Sequence, residues 1–305
     1  MTWSEGSAVV ADAARATLLI DASSVAYRVY AAMPPVTAPD GTLVSAPLGF
    51  MNALARLLVE RRPARLFVAV ELGEDWRPKF RVALLPSYKS HRVAGPDDVD
   101  DFSPQIAILI ELLEAFGITV AKASECEAED VIATLAGRLD GRVEIVSGDR
   151  DLFSLVRDPD VRVLYTLRGV SELATVDESW IHAKYGIPGD RYLDYAILRG
   201  DPSDGLPGVR GIGEKSAALL VTRYGSLDAV LSARDLSPSI SAKLRAAKEY
   251  LAAARRVVSP VRDCAVAGGD GTVPRAPANP GRLIALARRY ALEASVRRLT
   301  EALAV

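Results

Sequence analysis

Three short apolar runs, each leading into an acidic residue, constrain the fold of this chain more than any other feature. Residues 17–20 run into Asp21, residues 65–70 run into Glu71, and residues 143–147 are followed by Gly148 and Asp149. Runs this short and this apolar predict strands buried on both faces. Shorter β-rich runs lie at 118–121 and 161–165, and helical patterns fall around 46–60, over 104–116 and from about 127 to 139. Strands alternating with helices predict an α/β domain built on a parallel sheet, with helices on both faces. Ligands in such sheets sit beyond the carboxyl ends of the strands, which is where the three acids fall.

Local signals refine this frame. Ser103 is expected to cap a helix that has Pro104 in its first position, and the Ser124-x-x-Glu127 spacing reads as a capping box. Residues 1–16 read as a flexible N-terminal tail. After about residue 190 the pattern turns helical with glycine punctuation. Residues 268–281 read as a Gly-, Pro- and Ala-rich surface loop leading into one closing helix, 281–303.

Several function classes are excluded by simple counts. Two cysteines, Cys126 and Cys264, are too few for a disulfide framework or a four-cysteine zinc site, and two histidines leave little for a histidine-rich metal site. No apolar stretch approaches the roughly 20 residues that span a bilayer, and the first residues do not resemble a signal peptide. The expectation is a cytoplasmic protein with both thiols reduced.

The acids form four groups: Asp21; Glu127, Glu129 and Asp130; Asp149 and Asp151; Asp201 and Asp204. Acids are common in turns and at helix N-termini, so any one pair has an ordinary explanation. Several on one sheet edge repel each other unless a cation neutralises them. Oxygen-only ligands select hard divalent cations such as Mg²⁺ or Mn²⁺. Two-ion carboxylate sites suit in-line phosphoryl hydrolysis, one ion activating water and the other stabilising the leaving oxygen.

Two further features point to a polyanion. Gly208, Gly211 and Gly213, with Lys215 behind them, match neither a Walker loop nor a dinucleotide fingerprint. They suit a turn between helices whose N–H groups meet a DNA phosphate. Residues 76–92 carry five Lys/Arg and no acid, interleaved with aromatics, and include Arg77, Lys79, Arg81, Tyr88, Lys89 and Arg92. That mixture suits a strand offering both phosphates and stackable bases. The net charge of −2 does not argue against a nucleic acid, because residues 243–305 alone hold twelve Lys/Arg against five Asp/Glu.

Taken jointly and in order, these motifs resemble the bacterial and phage 5′-nuclease family, which includes flap endonucleases and the 5′-nuclease domain of type I DNA polymerases. The stretches that carry the resemblance are residues 19–28, 88–92, 127–133, 147–152, 200–209 and 211–217. The resemblance implies a PIN-like domain over 17–190 with a helical arch around 76–103. It also implies a helix–three-turn–helix DNA-binding region over 191–258 and a C-terminal segment, 259–305, packing back on the nuclease domain. Asp21, Glu71, Glu127, Glu129, Asp130, Asp149, Asp151, Asp201 and Asp204 would be metal ligands, direct or through water, for two or three Mg²⁺ or Mn²⁺ ions. Lys89 and Arg92 would clamp the scissile phosphate. The turn at 208–213 would hold duplex DNA, with a K⁺ on its carbonyls.

Two departures from the family pattern stand out. The second-strand acid is usually Asp; here Glu71 is assigned, with Glu74 and Asp75 close behind, and Glu129 stands where Asp is usual. The implied substrate is DNA with a 5′ flap, nick or 5′ overhang. A DNA polymerase and a ligase would be functional neighbours of a monomeric enzyme. The rival readings are a PIN-type ribonuclease and a non-catalytic DNA-binding protein on the same fold.

Overall fold

Leu18 and Ile20 belong to one hydrophobic core and Leu19 to another, although all three lie in the same five-residue strand, β1 (Thr17–Asp21). In β2 (Arg65–Ala69), Leu66 and Val68 join the first core while Phe67 and Ala69 join the second. A strand with two apolar faces needs a helical layer on each. The computed structural model describes residues 15–71, 78–90, 100–168 and 170–305. With β3 (Thr119–Ala121), β4 (Val143–Ser147), β5 (Val161–Arg168) and β6 (Glu172–Val176), the six strands take the order β3-β2-β1-β4-β5-β6. Every neighbouring pair is parallel except β5–β6. β6 lies outside the sequence expectation because only Val176 of Glu172 to Val176 is fully buried and the stretch lacks the apolar run of a two-faced strand.

One face is covered by α1 (Ala22–Ala32), α2 (Ser45–Arg61) and α4 (Ser103–Phe116). The final helices, α12 (Pro280–Tyr290) and α13 (Glu293–Leu303), pack on the same face through Leu283, Leu286, Leu299 and Leu303. The other face carries α5 (Ala128–Arg138), α6 (Glu178–Tyr185) and α7 (Tyr192–Arg199). A helical region continues that second core through α8 (Glu214–Tyr224), α9 (Leu227–Ser232), α10 (Pro238–Ala246) and α11 (Lys248–Val258). A short helix, α3 (Lys79–Leu84), precedes Tyr88 and Lys89. Part of the expected arch and residues 1–14 of the expected tail lie outside the described residues. No helix among the described residues is long and apolar enough to cross a membrane.

Four local expectations are corrected. The N-cap of α4 is Phe102 and Ser103 is its first helical residue rather than the cap; Asp100 Oδ1, two residues before Phe102, accepts the N–H groups of Phe102 and Ser103 at 3.0 and 2.9 Å. α5 has Glu127 as its N-cap, and Asp130 Oδ2 accepts the Glu127 N–H at 2.9 Å, so the reciprocal pair is Glu127–Asp130 and not Ser124–Glu127. The closing helix is two helices, broken at Ala291, which adopts φ 53°. Cys126 and Cys264 are joined in a disulfide and are not free thiols. That bond pins the segment after α11 beside the start of α5. The same segment accepts from Thr134 Oγ1 at Val261 O (3.3 Å) and from Arg138 at Cys264 O (3.0 Å).

Candidate metal centre

The sheet order brings β1, β2 and β4 side by side, so their carboxyl ends deliver Asp21, Glu71 and Asp149 to one edge. Asp21 is buried; it accepts from Ser147 Oγ at 2.7 Å and from the Ser24 N–H at 3.0 Å. Glu71 accepts a short hydrogen bond from Ser23 Oγ. Asp149, Asp151 and Asp204 each offer a carboxylate oxygen within 4.8 Å of the others. Asp149 and Asp151 flank the step from β4 into a 3₁₀ turn, with the Asp151 N–H donating to Asp149 Oδ1 at 2.9 Å. Asp204 arrives from later in the chain, in the turn 200–206 after α7.

The electrostatics show carboxylates without enough counter-charge. Burial, with Glu71 next in weight, pushes the Asp21 carboxyl up to about 7. Burial and the neighbouring Asp204 push Asp149 up to about 7 as well, and the same two causes raise Asp151 well above the usual carboxylate range. Glu129 adds its charge to all three. Clustered, desolvated acids of this kind are what an oxygen-seeking divalent cation neutralises, so the residues present fit such an ion.

A stability prediction follows. Without metal, these groups hold their protons in the fold at pH values where the unfolded chain, titrating near 3.8, has released them. The metal-free protein therefore loses stability as pH rises from about 4 to about 7. In EDTA its thermal midpoint should fall across that window by about 5 °C or more, and Mn²⁺ should restore it at pH 8. A pH-independent midpoint in EDTA would remove the basis for this picture.

Three of the other expected ligands, Glu127, Asp130 and Asp201, are paired with cations of the protein itself. Asp130 makes a two-pronged ion pair with the Arg81 guanidinium, at 2.7 and 2.8 Å, and accepts the Val261 N–H at 2.7 Å. Glu127 takes a short ion pair from Arg81 and a 2.9 Å bond from Lys89 Nζ. Asp201 accepts from Arg150 at 3.0 Å and Arg199 at 3.2 Å and caps its own turn through the Ser203 N–H. Glu129, on the same turn of α5, lies 3.5 Å from Lys89 Nζ.

Of the expected DNA-facing groups, Lys79, Gly211, Gly213 and Lys215 are exposed and Gly208 is half-buried. Arg81 and Tyr88 are not at the surface: both are almost wholly buried, and Tyr88 donates to Glu127 at 3.1 Å. Arg77, Arg92, His91, Glu74 and Asp75 lie outside the described residues. Sequence reasoning missed Ser23, Ser147, Arg150 and Arg199. Only Ser147, one step before Gly-Asp, stands in a position that could have signalled its part.

Lys89 is buried beside the cluster, with its backbone at φ 46° and its N–H donating to Asp204 O at 3.0 Å. A left-handed lysine is a costly conformation that the surrounding contacts must impose. Gly205, at φ 71°, allows the contact, since a Cβ there would lie 1.9 Å from Ser87 O. Further on, Gly200 and Gly208 press backbone on backbone, which sets the turn between α7 and α8; a Cβ on Gly208 would lie 2.5 Å from Arg199 O.

An open α/β sheet with a histidine-free carboxylate cluster at its ligand edge and a lysine held beside it defines a class of divalent-metal-dependent hydrolase. The comparisons with known proteins are specific. The profile for the 5′-3′ exonuclease N-terminal resolvase-like domain matches residues 16–186, and that for the 5′-3′ exonuclease C-terminal SAM fold matches 187–276. The chain belongs to the 5′-3′ exonuclease family. It is 44% identical over 310 residues to a 5′-3′ exonuclease of Mycobacterium tuberculosis, covering 94% of this chain and 97% of that protein. It is 38% identical to DNA polymerase I of Mycobacterium bovis over 87% of this chain but 29% of the polymerase. Its fold matches the bacteriophage T5 D15 flap endonuclease, solved with DNA and metal ions, at TM-score 0.65 and 17% identity, over 95% of this chain and 99% of that one.

Proposed function

We propose that this protein is a divalent-metal-dependent, structure-specific 5′ nuclease. It hydrolyses DNA phosphodiesters at 5′ flaps and 5′ ends, as a flap endonuclease and 5′-3′ exonuclease in DNA replication and repair. The observation that carries this reading is the carboxylate cluster of Asp149, Asp151 and Asp204, with Lys89 beside it.

In this reading Asp21, Glu71, Glu129, Asp149, Asp151 and Asp204 hold two or three Mg²⁺ or Mn²⁺ ions. Glu127, Asp130 and Asp201 support the site through their arginine and lysine partners. Bound ions supply activation of water and stabilisation of the leaving oxygen. Lys89 faces the scissile phosphate and stabilises its growing charge, with Arg92 as second cation. Lys79, Lys215 and the backbone around Gly211 and Gly213 hold the DNA backbone. The carbonyls of the turn at 208–213 would also hold a K⁺; of these, Gly211 O accepts from Lys243 Nζ at 2.9 Å.

The substrate is DNA with a 5′ flap, nick or 5′ overhang. The protein works as a monomer in the cytoplasm, with a DNA polymerase and a ligase as functional neighbours.

The test is cleavage of a labelled 5′-flap DNA by the purified protein. Incision near the flap junction is expected with Mn²⁺ or Mg²⁺, and none in EDTA, at DNA concentrations where binding persists. Binding without cleavage in metal would leave the non-catalytic reading, and preferential cleavage of RNA would favour the PIN-type ribonuclease.

A further inference from the structure

Arg81 is among the most deeply buried side chains in the protein, and its guanidinium is fully satisfied. Nε donates to Val257 O at 2.8 Å, one Nη1 hydrogen to Glu127 Oε2 and the other to Asp130 Oδ2 at 2.8 Å. Nη2 donates to Asp130 Oδ1 at 2.7 Å and to Ser259 O at 3.3 Å. All five N–H groups of an arginine are used, in a planar fork that lysine cannot reproduce. The three segments joined are α3, the start of α5 and the C-terminal end of α11 with the residue that follows it. Burying a guanidinium is costly unless its partners are complete, so a device of this kind points to what its partners do.

The Glu127 carboxylate is divided between two cations. Oε2 receives Arg81 and, at 3.1 Å, the Tyr88 hydroxyl; Oε1 receives Lys89 Nζ at 2.9 Å. An ammonium on a flexible four-carbon stem is drawn towards the greatest density of negative charge. Here that density is the Asp149, Asp151 and Asp204 cluster, and Asp204 contributes to the field at Lys89. Lys89 inside that cluster would compete with a metal ion. Bonded to Glu127 at 2.9 Å, and reaching Glu129 only at 3.5 Å, it stays at the edge.

We propose that Arg81 is a positioning residue: by fixing Glu127 it sets which oxygen Lys89 binds, and so holds the Lys89 ammonium beside the metal centre rather than in it. This rests on the reading of Lys89 as the group that faces the scissile phosphate.

The test is single-turnover cleavage of a 5′-flap DNA with Mn²⁺ by five variants, each below its own unfolding midpoint. They are Lys89→Met, Arg81→Lys, Glu127→Gln, and each of the last two combined with Lys89→Met. Arg81→Lys and Glu127→Gln should each slow cleavage about 10- to 100-fold, with flap-DNA Kd changed less than about 3-fold. In the Lys89→Met background, neither should slow cleavage further by more than about 2-fold, because the group they position is gone. A merely structural role predicts multiplying losses, and that result overturns the relay while leaving Lys89 its part. Should Arg81→Lys fail to fold, the Glu127→Gln pair decides alone, since that change keeps the side-chain shape. An unchanged rate in Lys89→Met overturns both the relay and the reading beneath it.

Discussion

Replacing Asp149 with Asn is expected to lower the single-turnover rate of flap cleavage by about 10³-fold, while flap-DNA binding changes less than about 3-fold. The size follows from removing one anionic oxygen from a cluster whose other members, Asp151 and Asp204, lie within 4.8 Å. A metal site that loses charge and geometry together forfeits several kcal/mol of transition-state stabilisation, and each 1.4 kcal/mol is about tenfold in rate. The same substitution should raise the thermal midpoint of the metal-free protein by a few degrees, because burial and Asp204 make the Asp149 charge unfavourable there. Calorimetric unfolding in EDTA and cleavage in Mn²⁺ should thus move in opposite directions. A variant that cleaves at the normal rate refutes the ligand role of Asp149.

The second large effect is structural in origin. Gly205→Ala places a Cβ 1.9 Å from the Ser87 carbonyl oxygen, on a residue at φ 71°. Backbone meets backbone there, so the turn 202–206 and the segment 87–89 must separate. The bonds lost are Lys89 N–H to Asp204 O at 3.0 Å and Ser87 Oγ to Gly205 O at 2.9 Å. Strain and lost bonds together should cost about 4 kcal/mol of stability, and the separation of Lys89 from Asp204 should cost at least about 10²-fold in rate. Gly186→Ala is the control: it has φ 70° but nothing within 4 Å of its Cβ, so only about 1 kcal/mol of strain is expected. Equal midpoints for the two variants, measured by thermal unfolding, would count against the Ser87 contact.

The sheet was legible because two-faced burial leaves an unbroken apolar run, and because acids at strand ends mark a ligand edge. Asp21, Glu71 and Asp149 needed no more than that. β6 was not legible because an edge strand has one wet side and no such run. Nor does spacing say which acids meet a cation supplied by the protein. Asp130 and Glu127 look like ligands until Arg81, some 45 residues earlier in the chain, is seen to occupy them. Arg81 itself sits in a basic, aromatic stretch that reads as DNA-facing, and only the packing of α3 against α11 turns it inward. The disulfide was hidden for a related reason: Cys126 and Cys264 are 138 residues apart, and nothing local shows that they meet.

The strand order has a consequence for how the protein is made. All six strands lie before residue 177, but Asp204 lies beyond them, and the backbone that accepts from Arg81 and donates to Asp130 lies at 257–261. A nascent chain emerging N-terminus first can therefore lay down the whole sheet while its acids remain an incomplete, mutually repelling set. The last helices, α12 and α13, then seal the opposite core. Synthesis order thus leaves the carboxylate cluster without Asp204 until the whole sheet has been made, and Arg81 and Asp130 without their backbone partners until residue 261.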